Sequence, residues 1–185
     1  YKSLLLYIDD TLLDFGANET DSLDKLFQQH GYAFSDELFR VYNSVNKQLW
    51  ADYENGDIIL ADVLNSRFSK TMLQLGIVVD GIKWENVYRE LLGNGSQLME
   101  GALELCQSLS ASHRLFVITN GITKTQIKRL KESGIYEFFE DIFDSQSIGF
   151  QKPSKEFFDY VMSHIKDFDL KEALIIGDSL NTDIK

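Results

Sequence analysis

The sequence is poor in residue types that define several protein classes. Its 185 residues include one cysteine, Cys106, one proline, Pro153, and three histidines. A single thiol cannot form an internal disulfide framework, which excludes the small disulfide-rich secreted class. No apolar run approaches the roughly 18 residues needed to span a bilayer, and the N-terminal apolar stretch is followed by acids rather than by a cleavage site. We therefore expect a cytoplasmic protein with no membrane partner.

Positive charge is also scarce. The chain has 18 Lys and Arg against 29 Asp and Glu, for a net charge of −11. This balance argues against nucleic-acid duplexes as partners. It leaves room for a small anionic substrate, because such a ligand needs only local backbone N–H groups, a lysine and a bound cation.

Short apolar runs alternate with amphipathic stretches outside one region of the chain. Apolar runs predict strands at residues 4–8, 115–118 and 173–176, each covered on both faces, and a weaker strand at 141–143. Helical periodicity lies between them, so the pattern predicts a Rossmann-like parallel α/β sheet. Residues 16–95 hold no convincing strand and four amphipathic stretches, at 19–30, 36–51, 58–75 and 84–92. We predict an α/β core domain (1–15 and 96–185) with an all-helical cap domain (16–95) inserted after the first strand.

Polar residues follow the predicted strands at the positions where a parallel sheet binds ligands. Ligands of parallel α/β folds lie outside the carboxyl ends of the strands, so these residues are expected to share one site. Converging carboxylates and other hard oxygen ligands favour Mg²⁺, and lysine and hydroxyl donors suit phosphate oxygens. The residues are Asp9, Asp10 and Thr11 after the first strand, Thr119 and Asn120 after the second, Lys152 in the loop GFQKPS, and Asp178 with Asp183 after the last.

Four short elements carry a resemblance to a known family. YIDDT, ITNG, QKP and GDSLNTD follow one another in this order. They resemble the signatures of the haloacid-dehalogenase-like (HAD) superfamily of phosphohydrolases, and the helical insertion resembles its cap. The residues of these elements are most similar to those of bacterial house-cleaning 5′-nucleotidases of the YjjG type. Family chains continue past the acidic element, so we expect the core domain to be incomplete at its C-terminus.

The resemblance implies a role for each matching position. Position 7 would be the nucleophile that forms an aspartyl-phosphate, and Asp9 the general acid/base. Thr119 and Asn120 would bind the phosphoryl group, and Lys152 would neutralise its charge. The implied activity is Mg²⁺-dependent hydrolysis of a small phosphomonoester, a nucleoside 5′-monophosphate, by a monomer or homodimer. The implied metal ligands are Asp9, Asp178 and Asp183.

The sequence departs from this pattern at Tyr7, where an aspartate is expected. A phenol with a pKa near 10 is protonated at neutral pH, is a poor Mg²⁺ ligand and fills the space of the phosphate. A displacement of an attacking group by about 1 Å can cost on the order of a hundredfold in rate. Asp10 is no simple replacement, because adjacent side chains of an extended chain point to opposite faces. We therefore expect this chain to be inactive or strongly impaired.

Three explanations of Tyr7 stay open: a substitution that removed the nucleophile, a natural protein that has lost catalysis, or an error in the sequence. The retention of Asp9, Thr119, Lys152 and Asp178 favours the first and the third. Two other functions also stay open. One is a binding protein that holds a phosphorylated ligand without turnover, and the other is a metal-free 2-haloacid dehalogenase, against which Asp9 and Asp178 argue.

Several of these residues also have ordinary structural explanations. Asp9 and Asp10 are typical of turns and helix caps, and Asp183 of the first turn of a helix. Trp50 and Tyr53 in the insertion are more often core residues than ligand contacts. They are kept as weak substrate candidates, because a cap that closes over a nucleobase would use aromatic side chains.

Overall fold

The computed structural model describes residues 1–178. Within them the chain forms four strands: β1 (Ser3–Leu6), β2 (Arg114–Thr119), β3 (Asp141–Asp144) and β4 (Ala173–Ile176). The helices of the same residues are α1 (Phe15–Gln29), α2 (Asp36–Glu54), α3 (Leu60–Gln74), α4 (Gly81–Gly93), α5 (Ala102–Ser110), α6 (Thr123–Glu132), α7 (Ser145–Ile148) and α8 (Lys155–His164). None of these helices is both long and apolar enough to cross a membrane.

The four strands form one parallel sheet in the order β3-β2-β1-β4. Leu5 of β1 lies opposite Phe116 of β2 on one side and opposite Ile175 of β4 on the other. This arrangement confirms the predicted α/β fold with a parallel sheet. It also places the carboxyl ends of β1 and β2 side by side, where the first two polar elements of the sequence follow.

Side chains of β1 and the residues after it alternate between two apolar clusters, one on each face of the sheet. Leu4, Leu6 and Ile8 belong to a cluster that includes Cys106 of α5 and Leu130 of α6. On the opposite face, β1 contributes to a cluster with β2, β3 and α8 whose members include Leu5, Tyr7, Phe116, Ile118, Phe143, Phe157 and Val161. The period-two alternation of a strand therefore directs position 7 toward the face that α8 covers.

Two strand predictions need correction. The first strand ends at Leu6 rather than at residue 8, because the backbone there turns: the N–H groups of Leu12 and Leu13 both donate to the Ile8 carbonyl at 2.9 Å. The strand at 173–176 is not covered on both faces by the described residues, since Leu174 and Ile175 are each 36% exposed. In the described part of the chain β4 has β1 as its neighbour and forms the edge of the sheet.

The chain divides into two compact units, one of residues 1–18 and 93 onward and the other of residues 19–92. The second unit is helical and is packed around aromatic rings. Phe68 lies at its centre, with ring centroids 5.1 Å from Tyr88, 5.6 Å from Tyr42 and 6.1 Å from Trp84. Buried aromatic side chains packed on one another contribute strongly to hydrophobic stabilisation, so the unit has its own core.

A charged pair is buried beside these rings. The Arg67 guanidinium donates to both carboxylate oxygens of Glu85, at 2.6 and 2.7 Å, with the two side chains 4% and 1% exposed. The same guanidinium lies 4.6 Å from the ring centroid of Tyr88. A bidentate ion pair of this type offsets the cost of removing both charges from water.

Candidate functional site

Tyr7 follows β1 directly, and its side chain is buried against a buried lysine. The Nζ atom of Lys152 lies 2.9 Å from the Tyr7 ring centroid, and the two residues are 3% and 6% exposed. An ammonium group over the face of an aromatic ring is attracted by the negative face of the ring. Lys152, which was predicted to neutralise a phosphoryl group, therefore lies beside position 7, but against a ring instead of a carboxylate.

Lys152 is brought to this place by Asn120. The side-chain amide of Asn120 accepts from the Lys152 N–H at 2.8 Å and donates to the Lys152 carbonyl at 3.0 Å. This paired contact joins the loop after β2 to the loop that carries the lysine. Asn120 is thus a positioning residue for Lys152, and phosphate binding by its side chain stays a prediction.

Asp9 lies in the turn after β1, and both of its carboxylate oxygens accept hydrogen bonds from α6. Arg129 Nη1 donates to Oδ1 at 2.5 Å, and Gln126 Nε2 donates to Oδ2 at 2.8 Å. The Arg129 side chain is 2% exposed, whereas that of Asp9 is 35% exposed. The buried donors of α6 therefore fix the position of the Asp9 carboxylate, which stays partly exposed to solvent.

Thr119, the last residue of β2, joins the same network. Its Oγ1 accepts from the Gly121 N–H at 3.0 Å and from Gln126 Nε2 at 3.1 Å. Asp9 and Thr119, 110 positions apart in the chain, therefore contact one shared amide. The structure thus brings Asp9 and Thr119 together, and their roles as acid/base and phosphate-binding hydroxyl stay predictions.

Asp10 takes no part in this network. It has a left-handed backbone conformation, with φ of +53°, and its Oδ1 accepts from the N–H groups of Phe15 and Gly16 at 3.0 and 3.2 Å. The side chain therefore caps the start of α1, where backbone N–H groups lack partners within the helix. The cap explains the second acid of the Asp-Asp pair and removes it as a substitute nucleophile.

The acidic candidates after β4 are only partly described. Asp178 is exposed and follows the end of β4 by two residues. Asp183 lies outside the described residues. Residues 1–178 contain no group of three His, Cys, Asp or Glu side chains that could hold a metal ion.

The donor set at this edge does not fit Mg²⁺ as it stands. The ion takes oxygen ligands in near-octahedral geometry, and it needs carboxylates that are free to coordinate it. Position 7 offers a phenol packed against Lys152 Nζ where the pattern expects a carboxylate ligand. Metal binding by Asp9, Asp178 and Asp183 stays a prediction, to which a phenol at position 7 adds no suitable ligand.

The two aromatic substrate candidates lie within the helical unit. Tyr53 is 5% exposed and packs in a cluster with Val45, Leu49 and Val63, and Trp50 packs against it with the two ring centroids 5.8 Å apart. The ring of Tyr53 leaves little surface for a ligand, and its substrate role stays a prediction. Trp50 is half-buried, and its role stays a prediction.

Two residues of the network were missed by the sequence reasoning. Gln126 and Arg129 are 2% and 1% exposed and lie in α6. Their i, i+3 spacing puts them on one side of α6. The available signal was weak, because polar residues at helical spacing are usually solvated, and nothing in the sequence marks them as partners of Asp9.

Comparisons with known proteins point to one family. The family model described as haloacid dehalogenase-like hydrolase matches residues 8–185. The HAD-hydrolase YfnB of Bacillus subtilis is 42% identical over 185 residues, which cover all of this chain and 79% of YfnB. Pyrimidine 5′-nucleotidase PynA of Streptococcus pneumoniae is 36% identical over 186 residues, covering all of this chain and 78% of PynA. Pyrimidine 5′-nucleotidase YjjG of Escherichia coli is 29% identical, with coverages of 95% and 76%.

Solved structures agree with these relatives. A crystal structure of YfnB, described as bound to magnesium, superposes with a TM-score of 0.98 at 42% identity and covers all of this chain and 82% of that one. The L-2-haloacid dehalogenase PA0810 superposes with a TM-score of 0.74 at 15% identity, covering 94% and 74%. At that level of identity the second likeness shows a shared fold only.

Proposed function

Because this chain belongs to the haloacid dehalogenase-like hydrolase family, we propose that the carboxyl ends of β1 and β2 bind a small phosphate monoester and that Tyr7 prevents its hydrolysis. Two of its relatives bear the name pyrimidine 5′-nucleotidase, so the proposed ligand is a pyrimidine nucleoside 5′-monophosphate. The observation that carries the proposal is the shared hydrogen-bond network of Asp9 and Thr119 at adjacent strand ends. Residues 16–95 are proposed to act as the cap that excludes water from this ligand.

The roles of the described residues follow from their chemistry. The Thr119 hydroxyl and the Lys152 side chain are the donors proposed for phosphoryl oxygens. Asp9 is the group that would give a proton to the leaving nucleoside oxygen and later take one from water. Each of these steps needs an attacking group at position 7, and a protonated phenol is a poor one at neutral pH.

A carboxylate at position 7 should restore the missing step. In the Tyr7→Asp variant a carboxylate oxygen would attack phosphorus, the phosphorus–oxygen bond to the nucleoside would break, and water would then hydrolyse the acyl phosphate. The same carboxylate would complete the acidic set around Asp9 and Asp178. We propose that this variant, unlike the parent chain, depends on added Mg²⁺.

The test measures phosphate release from UMP, AMP and an aryl phosphate, with Mg²⁺ and with EDTA. The parent chain and Tyr7→Phe should be inactive alike, because neither has a carboxylate at position 7. Tyr7→Asp should hydrolyse UMP, and EDTA should abolish that activity. Turnover by the parent chain at the rate of Tyr7→Asp would overturn the proposed role of Tyr7.

A second candidate function is binding of a phosphorylated ligand without turnover. The packing of Lys152 on the Tyr7 ring favours it, because the lysine expected to contact phosphate is in place while position 7 has no carboxylate that could attack phosphorus. Thermal-shift measurements with UMP and uridine, each with and without Mg²⁺, separate the candidates. Stabilisation of the parent chain by UMP and not by uridine, with no phosphate released, supports a binding function.

A further inference from the structure

One side-chain amide connects the two functional candidates Asp9 and Thr119. Gln126 Nε2 donates to Asp9 Oδ2 at 2.8 Å and to Thr119 Oγ1 at 3.1 Å. Its Oε1 accepts from Arg129 Nη1 at 2.9 Å, and the same Nη1 donates to Asp9 Oδ1. The four side chains thus form a closed set of hydrogen bonds behind the site.

Arg129 fixes the direction of the Gln126 amide. A guanidinium group can only donate hydrogen bonds, so the amide must turn its oxygen toward Arg129 and its NH₂ group toward Asp9 and Thr119. A flipped amide would place two donors against Arg129 and an acceptor against the Asp9 carboxylate. Arg129 is itself held by a bond of 3.0 Å from its Nε to the Gly95 carbonyl.

The direction of this amide decides what the Thr119 hydroxyl can do. A hydroxyl group has two acceptor sites and one proton. Gly121 and Gln126 supply one donor each to Thr119 Oγ1, which fills both acceptor sites. The proton is left as a donor for a further acceptor, and a phosphoryl oxygen is such an acceptor.

We infer that Gln126 is a positioning residue that makes the Thr119 hydroxyl a hydrogen-bond donor to the bound phosphoryl group and sets its place relative to Asp9. Arg129 locks Gln126 in the orientation that this requires. The inference rests on the proposed phosphate-binding function. Neither residue touches the ligand, so their effect reaches it through Thr119 and Asp9.

Stability alone accounts poorly for this arrangement. Arg129 is 1% exposed, and its Nη2 atom has no hydrogen-bond partner among the described residues. A buried donor on a charged group that has no partner destabilises the folded protein. An apolar side chain of similar volume would avoid this cost, which is consistent with a role for Arg129 in orienting its neighbours.

The experiment measures binding of inorganic phosphate by calorimetry to the parent chain and to Tyr7→Asp, which lacks the ring expected to fill the phosphate space. Binding of UMP is measured to the parent chain, where Tyr7 prevents turnover. Gln126→Glu keeps the size of the side chain but replaces the NH₂ donor by an acceptor, so the Thr119 proton should turn to it. Phosphate binding should weaken about tenfold, which corresponds to about 1.4 kcal/mol. Gln107→Glu makes the same change at an exposed position of α5 and should leave binding within twofold of the parent.

A double-mutant cycle separates this role from a merely structural one. Thr119→Val removes the hydroxyl, so adding Gln126→Glu to it should weaken binding by less than threefold. Thr119→Ser keeps the hydroxyl, and adding Gln126→Glu to it should again cost about tenfold. Gln126→Met, which also lacks the donor, serves in place of Gln126→Glu if the latter lowers the thermal midpoint by more than a few degrees.

The outcomes distinguish the inference from the proposed function. If neither the parent nor Tyr7→Asp binds phosphate or UMP, the proposed function fails and the inference with it. If phosphate binds the parent or Tyr7→Asp, but adding Gln126→Glu to the protein that binds it leaves binding within twofold, the inference alone is wrong. The inference is also wrong if the affinity losses of Gln126→Glu and Thr119→Val multiply in full in the double variant, because independent losses exclude action through the hydroxyl.

Discussion

Replacement of Glu85 by glutamine should strongly destabilise the helical unit of residues 19–92. Both carboxylate oxygens of Glu85 accept from Arg67, and both side chains are buried. Burial alone would lower the pKa of the Arg67 guanidinium, but its electrostatic interactions with Tyr42 and Glu85 raise this pKa above its ordinary value. The charge therefore persists at every accessible pH, and Glu85→Gln leaves it without a buried counter-charge.

The expected loss of unfolding free energy depends on the burial of the ion pair rather than on the distance between its charged atoms. Breaking a buried pair costs about 3–5 kcal/mol, whereas an exposed pair contributes about 0–1 kcal/mol. The chain holds a matched control in Lys25 and Asp21, which are also 2.6 Å apart but are 56% and 54% exposed. We expect Glu85→Gln to lower the free energy of unfolding by about 3–5 kcal/mol and Asp21→Asn by less than about 1 kcal/mol.

Urea denaturation followed by tryptophan fluorescence and far-UV circular dichroism measures both values, since Trp84 belongs to the same aromatic core. Arg67→Met combined with Glu85→Leu removes both charges and should recover most of the loss, because an apolar pair has no buried charge to desolvate. Equal small losses for Glu85→Gln and Asp21→Asn would refute the reasoning. So would a double variant that is less stable than Glu85→Gln.

Three further predictions concern buried groups. Burial raises the pKa values of Tyr42 and Tyr88 well above the value of about 10 expected in the unfolded chain. The unfolding free energy should therefore fall above about pH 10, by about 1.4 kcal/mol per pH unit for each tyrosine. Urea titrations from pH 8 to 11 should show this slope, and Tyr42→Phe should halve it. Burial raises the pKa of the Cys106 thiol to about 11, so iodoacetamide at pH 8 should react at least about tenfold more slowly with the folded chain than with the chain in urea. In Gly121→Ala, the new Cβ would overlap with the Gln126 side-chain amide and should displace it. Calorimetry should then show weaker phosphate binding, and unchanged binding would contradict the described network.

The sheet was predictable because its signals are local. Apolar runs of four or five residues marked β1, β2 and β4, and a shorter one marked β3; their alternation with helices indicated parallel pairing. The end of β1 at Leu6 was not predictable, since Tyr7 and Ile8 are as apolar as the strand and the turn depends on the carbonyl of Ile8. The exposure of Leu174 in β4 depends on which neighbours cover an edge strand, and a single sequence does not give this.

The candidate site was predictable in part. Asp9, Thr119 and Lys152 stood at strand ends or in a motif, so topology alone brought them together. Gln126 and Arg129 lay in an ordinary amphipathic helix, and their role arises from contacts with Asp9 across 117 and 120 positions. Such contacts follow from the packing of α6 against the sheet, which periodicity does not specify.

The most direct test of the central claim is phosphate release from UMP by the parent chain and by Tyr7→Asp, measured side by side with Mg²⁺. The account predicts turnover by Tyr7→Asp that EDTA abolishes, and turnover by the parent chain at least about a hundredfold slower. Equal rates for the two proteins would contradict the assignment of position 7 as the attacking group. No turnover by Tyr7→Asp, with its fold intact by circular dichroism, would contradict the proposed site itself.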